Sequence, residues 1–292
     1  MREIVCDRSE VHEHLKSTNI ATAFEETIKI KKHLSEYSYS DKKSDEVESL
    51  KWTLKDMYHN KCAFCESLIE NEVGDIEHYR PKNRNKNQAK KCDKTYSYYW
   101  LAFSWDNLLP SCSKCNGKKS NCFDILGKRA VYENETLEGL HYKTKAYNDL
   151  EKPKLLHPEH DTFESTISFS KKGKMISLNQ KMKYTIRICD LNRINLLQSR
   201  RKIIGDFLNK LDENLVSFEK YIKKNNDNME QCLEYFKPTI TDFCNKSNTQ
   251  YAYSLVNQKI KDNFEYFLNV FKYKEDRKDI ILLAFYTYNE GI

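Results

Sequence analysis

The sequence predicts an α+β protein: a small cysteine-rich core stapled by metal, with helical regions on both sides. Two observations carry that prediction. Cys62-Ala-Phe-Cys65 is matched by Cys112-Ser-Lys-Cys115, and the segment around them, residues 59–130, is too poor in long apolar patterns to fold without a staple. Its flanks, by contrast, carry apolar residues at helical spacing. With 292 residues and 12% aromatics the chain can build a real core, as one large domain or two to three small ones, which removes a disordered tail from consideration.

Residues 1–58 read as a helical region. MREIVCDRSEVHEH lacks an apolar h-region, and no run approaches the roughly 18 apolar residues that span a bilayer, so a cytoplasmic protein without membrane association is expected. In that setting the ten cysteines serve as thiols, core residues or metal ligands rather than disulfides. Ser44 is the candidate N-cap of a helix with Val47, Leu50, Leu54 and Met57 at helical spacing, which delivers the chain to Cys62.

After the core, residues 131–195 form an extension in which TISFSKKGKMISL reads as a hairpin. Ile167 and Phe169 alternate, Gly173 makes the turn and Met175 returns. Residues 196–292 form a second helical region, with a partner-binding role as the expectation. Its pattern starts near residue 193, where Ile194, Leu197, Ile204, Leu208, Leu211, Leu215, Phe218 and Ile222 follow three-four spacing, broken where Arg201 falls in register. Pro238 ends this stretch or separates it from another helix. The aromatics Tyr251, Phe264, Phe267 and Phe271 read as core of further helices; the alternative is a stripe that docks a partner protein.

Two C-x-x-C knuckles can present four thiolates tetrahedrally to one zinc ion at about 2.3 Å each. The 46 residues between them exceed a zinc-ribbon interval, so a folded segment must sit there. A closed shell of Cys62, Cys65, Cys112 and Cys115 leaves no position for water, which makes this zinc structural. The six other cysteines receive no role.

Between and behind the knuckles lie DIEHYRPK (75–82) and WDNLLPSCSKCNGKKS (105–120). The order, an acid before a histidine, then Asn, then a knuckle followed directly by Asn, resembles the HNH or ββα-metal nucleases. Hydrolysing a phosphodiester needs a base to activate water and a divalent metal to neutralise charge on the phosphate and the leaving oxygen. The resemblance makes His78 the base, oriented through a hydrogen bond by Asn107, with Glu77 and Asn116 holding one hard cation such as magnesium. Asp75 competes with Glu77, since residues 75 and 77 share one face of an extended segment and His78 points to the other. The chain departs from the commonest pattern by having Glu77 where many members have Asp and Asn116 where many have His, which shifts the metal preference towards magnesium.

The net charge of +6 is unevenly placed, with seven Lys or Arg against one Asp in residues 80–94. Arg80, Lys82, Lys86, Lys90, Lys91, Lys118 and Lys119 are therefore candidate phosphate contacts; a solvated loop is the plain alternative.

The likeness extends further. The order CxFCE, IEHYRPK, YYWLAFSWDNLLPSCSKCN, KPKLLHPEHDTFE, a hairpin and TIRICDLNRINLLQSRR resembles the HNH subunit of Septu anti-phage systems, including retron-associated ones, over about residues 58–202. That resemblance implies a nuclease working with a partner ATPase of the ABC or SMC-like kind. In a retron setting a reverse transcriptase and its RNA–DNA product join as partners. DNA is the favoured substrate and RNA, such as host tRNA, the other. The competing reading is a non-catalytic zinc-knuckle module that binds nucleic acid or an ATPase; such a module has no need of the acid-His pair.

Overall fold

Serine 17 begins the first sizeable helix for a local reason: its hydroxyl accepts the Ile20 amide at 3.4 Å, after the short helix α1 (Glu13–Lys16). Helix α2 (Thr18–Ile30) buries Ile20, Ala23, Phe24 and Thr27, one stripe at three-four spacing, and Lys31 in the left-handed region closes it. The structure is a computed structural model that describes residues 1–33, 49–69, 74–83, 96–225 and 229–289. The predicted Ser44 cap and Val47 lie outside the described residues, as do Lys86, Lys90 and Lys91.

Helix α3 (Leu50–Met57) buries Leu50 and Leu54, two of the predicted apolar positions. Strand β1 (Asp75–His78) then pairs antiparallel with β2 (Leu108–Ser111), in the register Asp75 to Ser111, Ile76 to Pro110, Glu77 to Leu109 and His78 to Leu108. Helix α4 (Ser113–Lys119) follows β2 at once, so ribbon and helix form a ββα unit. Two short helices, α5 (Leu137–Leu140) and α6 (Thr144–Glu151), lead to a hairpin of β3 (Ile167–Phe169) and β4 (Met175–Ser177). Beyond α7 (Gln180–Ile188) and α8 (Ile194–Asn225) come α9 (Met229–Leu233), α10 (Lys237–Asn245), α11 (Ser254–Asp262), α12 (Phe264–Val270) and α13 (Glu275–Asn289). The α+β expectation holds as a helix-rich chain with two small sheets. No described helix is long and apolar enough to cross a membrane.

The chain divides into two compact units, Met1–Thr166 with Ser177–Leu191, and Ile167–Ile176 with Asn192–Ile292. The first unit joins the predicted N-terminal region and core with most of the extension. Long-range bonds tie them. Arg8 donates to the carbonyls of Trp105 at 2.8 Å and Leu108 at 3.0 Å and pairs with Glu159 at 2.6 Å, which belongs to the LLHPEHD segment. Phe64, Tyr79, Tyr98, Trp100, Phe103 and Phe123 fill the core beneath.

The second unit takes in the turn of the hairpin. Gly173 sits at φ +74°, and a Cβ there would meet the Leu197 carbonyl at 2.7 Å, so glycine is required. Along α8 the buried stripe runs through Leu196, Ile204, Phe207, Leu211, Leu215 and Phe218, whereas Ile194 is exposed. Arg200 shares that stripe and lies 5.5 Å from the Phe169 ring. Pro238 falls in the first turn of α10, where its missing N–H costs nothing. Phe264 stacks on Phe285 at 3.8 Å and Phe207 on Phe243 at 3.7 Å, as core aromatics do.

Candidate metal centre and candidate active site

The two knuckles are built by short local bonds. In the first, the Cys62 carbonyl accepts the Glu66 amide at 3.1 Å and the Cys62 amide donates to Ser67 at 3.0 Å, with Glu66 turned to φ +64°. In the second, Cys112 is itself the N-cap of α4, its sulfur accepting the Cys115 amide at 3.4 Å. The Ala63 amide donates to the Pro110 carbonyl at 3.0 Å, which fixes the first knuckle to β2 and hence to the second.

The four Sγ atoms all lie within 4.8 Å of one another, and Cys65 and Cys112 are 3.8 Å apart. Sulfurs on 2.3 Å arms of a tetrahedron stand about 3.8 Å apart, so this quartet is positioned to bind a metal, and zinc suits it. Bonds among the sulfurs favour the thiolate at two of them. The Cys112 sulfur holds Cys65 well below the usual thiol range, and Cys115 holds Cys112 at about 6; burial pushes Cys62 up and the Cys112 sulfur pushes Cys115 up.

Strand alternation puts Asp75 and Glu77 on one face of the ribbon, and helical spacing puts Asn116 and Lys119 on one face of α4. Those faces meet. Asn116 Nδ2 donates to Asp75 Oδ2 at 2.9 Å, and Lys119 Nζ pairs with Glu77 Oε1 at 2.6 Å. The structure thus brings Asn116 to Asp75 and gives Glu77 a lysine as its partner. Burial raises Glu77 above the ordinary carboxylate range, with Lys119 pulling the other way.

His78 lies on the opposite side. Its Nε2 is 2.9 Å from the Ala102 carbonyl, which can only accept, so Nε2 carries the proton and Nδ1 the lone pair. Burial, reinforced by Lys82, holds the ring well below the usual imidazole range and keeps it neutral. Lys82 is itself lowered to about 8 by burial. The end of α2 closes over this side, because Asn83 accepts from the His33 amide at 3.1 Å and donates to its carbonyl at 2.9 Å.

Asn107 places its side chain on the backbone either side of the imidazole. Its Oδ1 accepts the Arg80 amide at 2.8 Å, and its Nδ2 donates to the carbonyls of Arg80 at 3.1 Å and Leu101 at 3.0 Å. The residue clamps the chain on both sides of the imidazole, and the Ala102 carbonyl orients the ring. Two of the expected phosphate contacts are also internal. Arg80 is fully buried, its Nε 2.8 Å from Glu151 Oε2 and its Nη2 2.7 Å from Asn148 Oδ1. Lys119 is fully buried against Glu77. Lys118 is exposed and pairs with Asp190 at 2.8 Å.

The sequence reading missed Glu151. It accepts Arg80, the Tyr98 hydroxyl at 2.8 Å and the Ala130 amide at 2.8 Å, anchoring the residue two places beyond His78. No local pattern in NDLEKPK marks it.

No family model matches the chain, and no solved structure matches it. Among curated proteins it is 34% identical over 163 residues to a Septu protein PtuB of Bacillus mycoides, covering 54% of this chain and 52% of that one. It is 29% identical over 161 residues to a Septu protein PtuB of Bacillus thuringiensis, covering 53% of this chain and 46% of that one. A Septu protein PtuA of Bacillus mycoides matches at 28% identity over 156 residues, 53% of this chain and 21% of the relative. The chain spans about half the length of the PtuB relatives it matches, and over that half it is similar to Septu proteins.

Proposed function

We propose that this chain is a metal-dependent endonuclease of the HNH, ββα-metal type, acting in Septu anti-phage defence with an ATPase partner. The observation that carries the reading is a buried His78 at the end of β1, its Nε2 held by the Ala102 carbonyl, beside two acids whose strand face is covered by the Asn116 helix. Nδ1 of His78 takes the proton from an attacking water, while the Ala102 carbonyl keeps the other nitrogen protonated and the ring in place. Asn107 and Arg80, the latter held by Glu151, fix the turn that follows the base.

Asp75, Glu77 and Asn116 would hold the catalytic cation. They offer only oxygen donors on one patch, the chemistry that a hard ion such as magnesium selects. When bound, that ion would neutralise charge on the phosphate and on the leaving 3′ oxygen. The four cysteines would hold a structural zinc. Lys82 and Lys118 remain as phosphate contacts, with Lys86, Lys90 and Lys91 outside the described residues.

Similarity to proteins named PtuA and PtuB supports a partnered defence system. The reverse-transcriptase partner rests on the sequence resemblance alone. The test is to incubate the zinc-loaded chain with plasmid DNA and with total RNA, with and without magnesium, and with and without its ATPase partner. Magnesium-dependent cleavage is expected, and the polymer cut identifies the substrate. Intact nucleic acid in every incubation overturns the proposal and leaves the zinc-knuckle binding module.

A further inference from the structure

Helix α4 lays a lysine as well as an amide over the acidic face of β1. Lys119 Nζ has three oxygen neighbours: Glu77 Oε1 at 2.6 Å, the His78 carbonyl at 2.7 Å and the Ser120 carbonyl at 3.3 Å. An ammonium has three N–H donors, so its bonding capacity is filled within the protein. Its side chain has 0% exposure, and that of Glu77 has 5%. One carboxylate and two carbonyls around a single positive charge are the same kind of surroundings that a hard divalent cation takes.

We infer that Lys119 is a built-in competitor of the divalent cation for Glu77: the Lys119–Glu77 ion pair and cation binding at Glu77 exclude one another. The inference deepens the nuclease reading, on which the identity of the cation rests, but its test does not require cleavage. A divalent ion bound to the same Glu77 oxygen would sit next to the ammonium, between two buried side chains where repulsion is weakly screened. The lysine must therefore leave an enclosed position before Glu77 Oε1 can serve as a ligand, and its charge opposes a cation at the second carboxylate oxygen as well. Asp75 and Asn116, already paired with each other at 2.9 Å, are the donors not tied to the lysine. The lysine also grips the backbone of the proposed base, so its departure and the placing of His78 are one event.

Manganese binding to the zinc-loaded full chain, read by titration calorimetry and by the electron-paramagnetic resonance of free ion, tests the competition. Lys119→Met removes the charge, and Lys119→Gln removes it while keeping a donor towards Glu77 and the His78 carbonyl, so the second variant decides if the first does not fold. Both are expected to bind manganese at least tenfold more tightly than the wild type. Glu77→Gln combined with Lys119→Met is expected to lose that gain. A folded, zinc-loaded Lys119→Gln chain binding no more tightly than the wild type overturns the competition. Cleavage measured in parallel separates the two readings. Tighter binding without cleavage by any chain keeps the competition and removes the nuclease; cleavage without tighter binding does the reverse.

Discussion

Asn107→Ala tests whether this residue is part of the scaffold around His78. The carboxamide is fully buried and makes three hydrogen bonds, to the Arg80 amide at 2.8 Å, the Arg80 carbonyl at 3.1 Å and the Leu101 carbonyl at 3.0 Å. Alanine strands the Arg80 amide and carbonyl, each at a cost of about 1–3 kcal/mol, while the Leu101 carbonyl keeps the Ser104 amide at 3.3 Å; a water entering the space would recover part of the loss. The expected loss is about 2–4 kcal/mol in the first unit. Because the chain has two compact units, a single denaturation midpoint would mix them. Hydrogen exchange read by mass spectrometry on peptides spanning 75–83 and 98–111 isolates the effect. Protection there should fall by roughly one and a half to three orders of magnitude, with α8 to α13 unchanged. A drop of less than tenfold in those peptides would refute the clamp.

The isolated chain is expected to carry one zinc, and Cys62→Ser to lose both the zinc and the fold of the first unit; a folded, zinc-free Cys62→Ser protein contradicts the staple. Arg80→Met leaves Glu151 buried without its counter-ion and should cost about 3–5 kcal/mol while the salt dependence of nucleic-acid binding stays as it was. Lys82→Ser should instead lower the slope of log K against log salt by about 0.7–0.9; wild-type stability with a reduced slope in Arg80→Met would reverse these assignments. Acid should destabilise the protein below pH 6.5. Burial lowers His33 and His141 to about 4, so between pH 6.5 and 4 the unfolded chain binds protons there that the folded chain does not. Moving from pH 7 to pH 5 removes about 4 kcal/mol through this pair, and Asp106, raised to about 6 by burial, returns about 1. Stability that is flat or rising from pH 7 to pH 5 would show that those imidazoles are not buried.

The metal quartet was legible because a knuckle is a local object: two residues separate its cysteines, and the bonds that shape it stay within six positions. The hairpin turn at Gly173 and the start of α10 at Pro238 were legible for the same reason. What escaped was set by distant partners. Arg80 and Lys119 follow a basic motif and read as surface charge, yet each is paired with an acid, Glu151 at 71 positions away and Glu77 at 42. The N-terminal segment showed no role until Arg8 met Glu159, 151 positions on. Along α8, the spacing of apolar residues placed the buried face from Ile204 through Phe218 and erred only at the start, where Ile194 is exposed, Leu196 is buried and Arg200 joins the buried stripe 5.5 Å from the Phe169 ring. Alternation along β1 did place Asp75 and Glu77 opposite His78, which left the choice of acid to the helix that packs on them.

The most direct test of the nuclease proposal is single-turnover cleavage by zinc-loaded wild-type and His78→Ala chains, on the nucleic acid that the wild type cuts and in the presence of magnesium. Both proteins should fold, carry the same zinc and bind the substrate, His78→Ala melting somewhat lower because it gives up a buried ring and its bond to the Ala102 carbonyl. The account predicts that cleavage is lost by at least two orders of magnitude in His78→Ala, the contribution expected of a general base. Cleavage by the variant at the wild-type rate would contradict it.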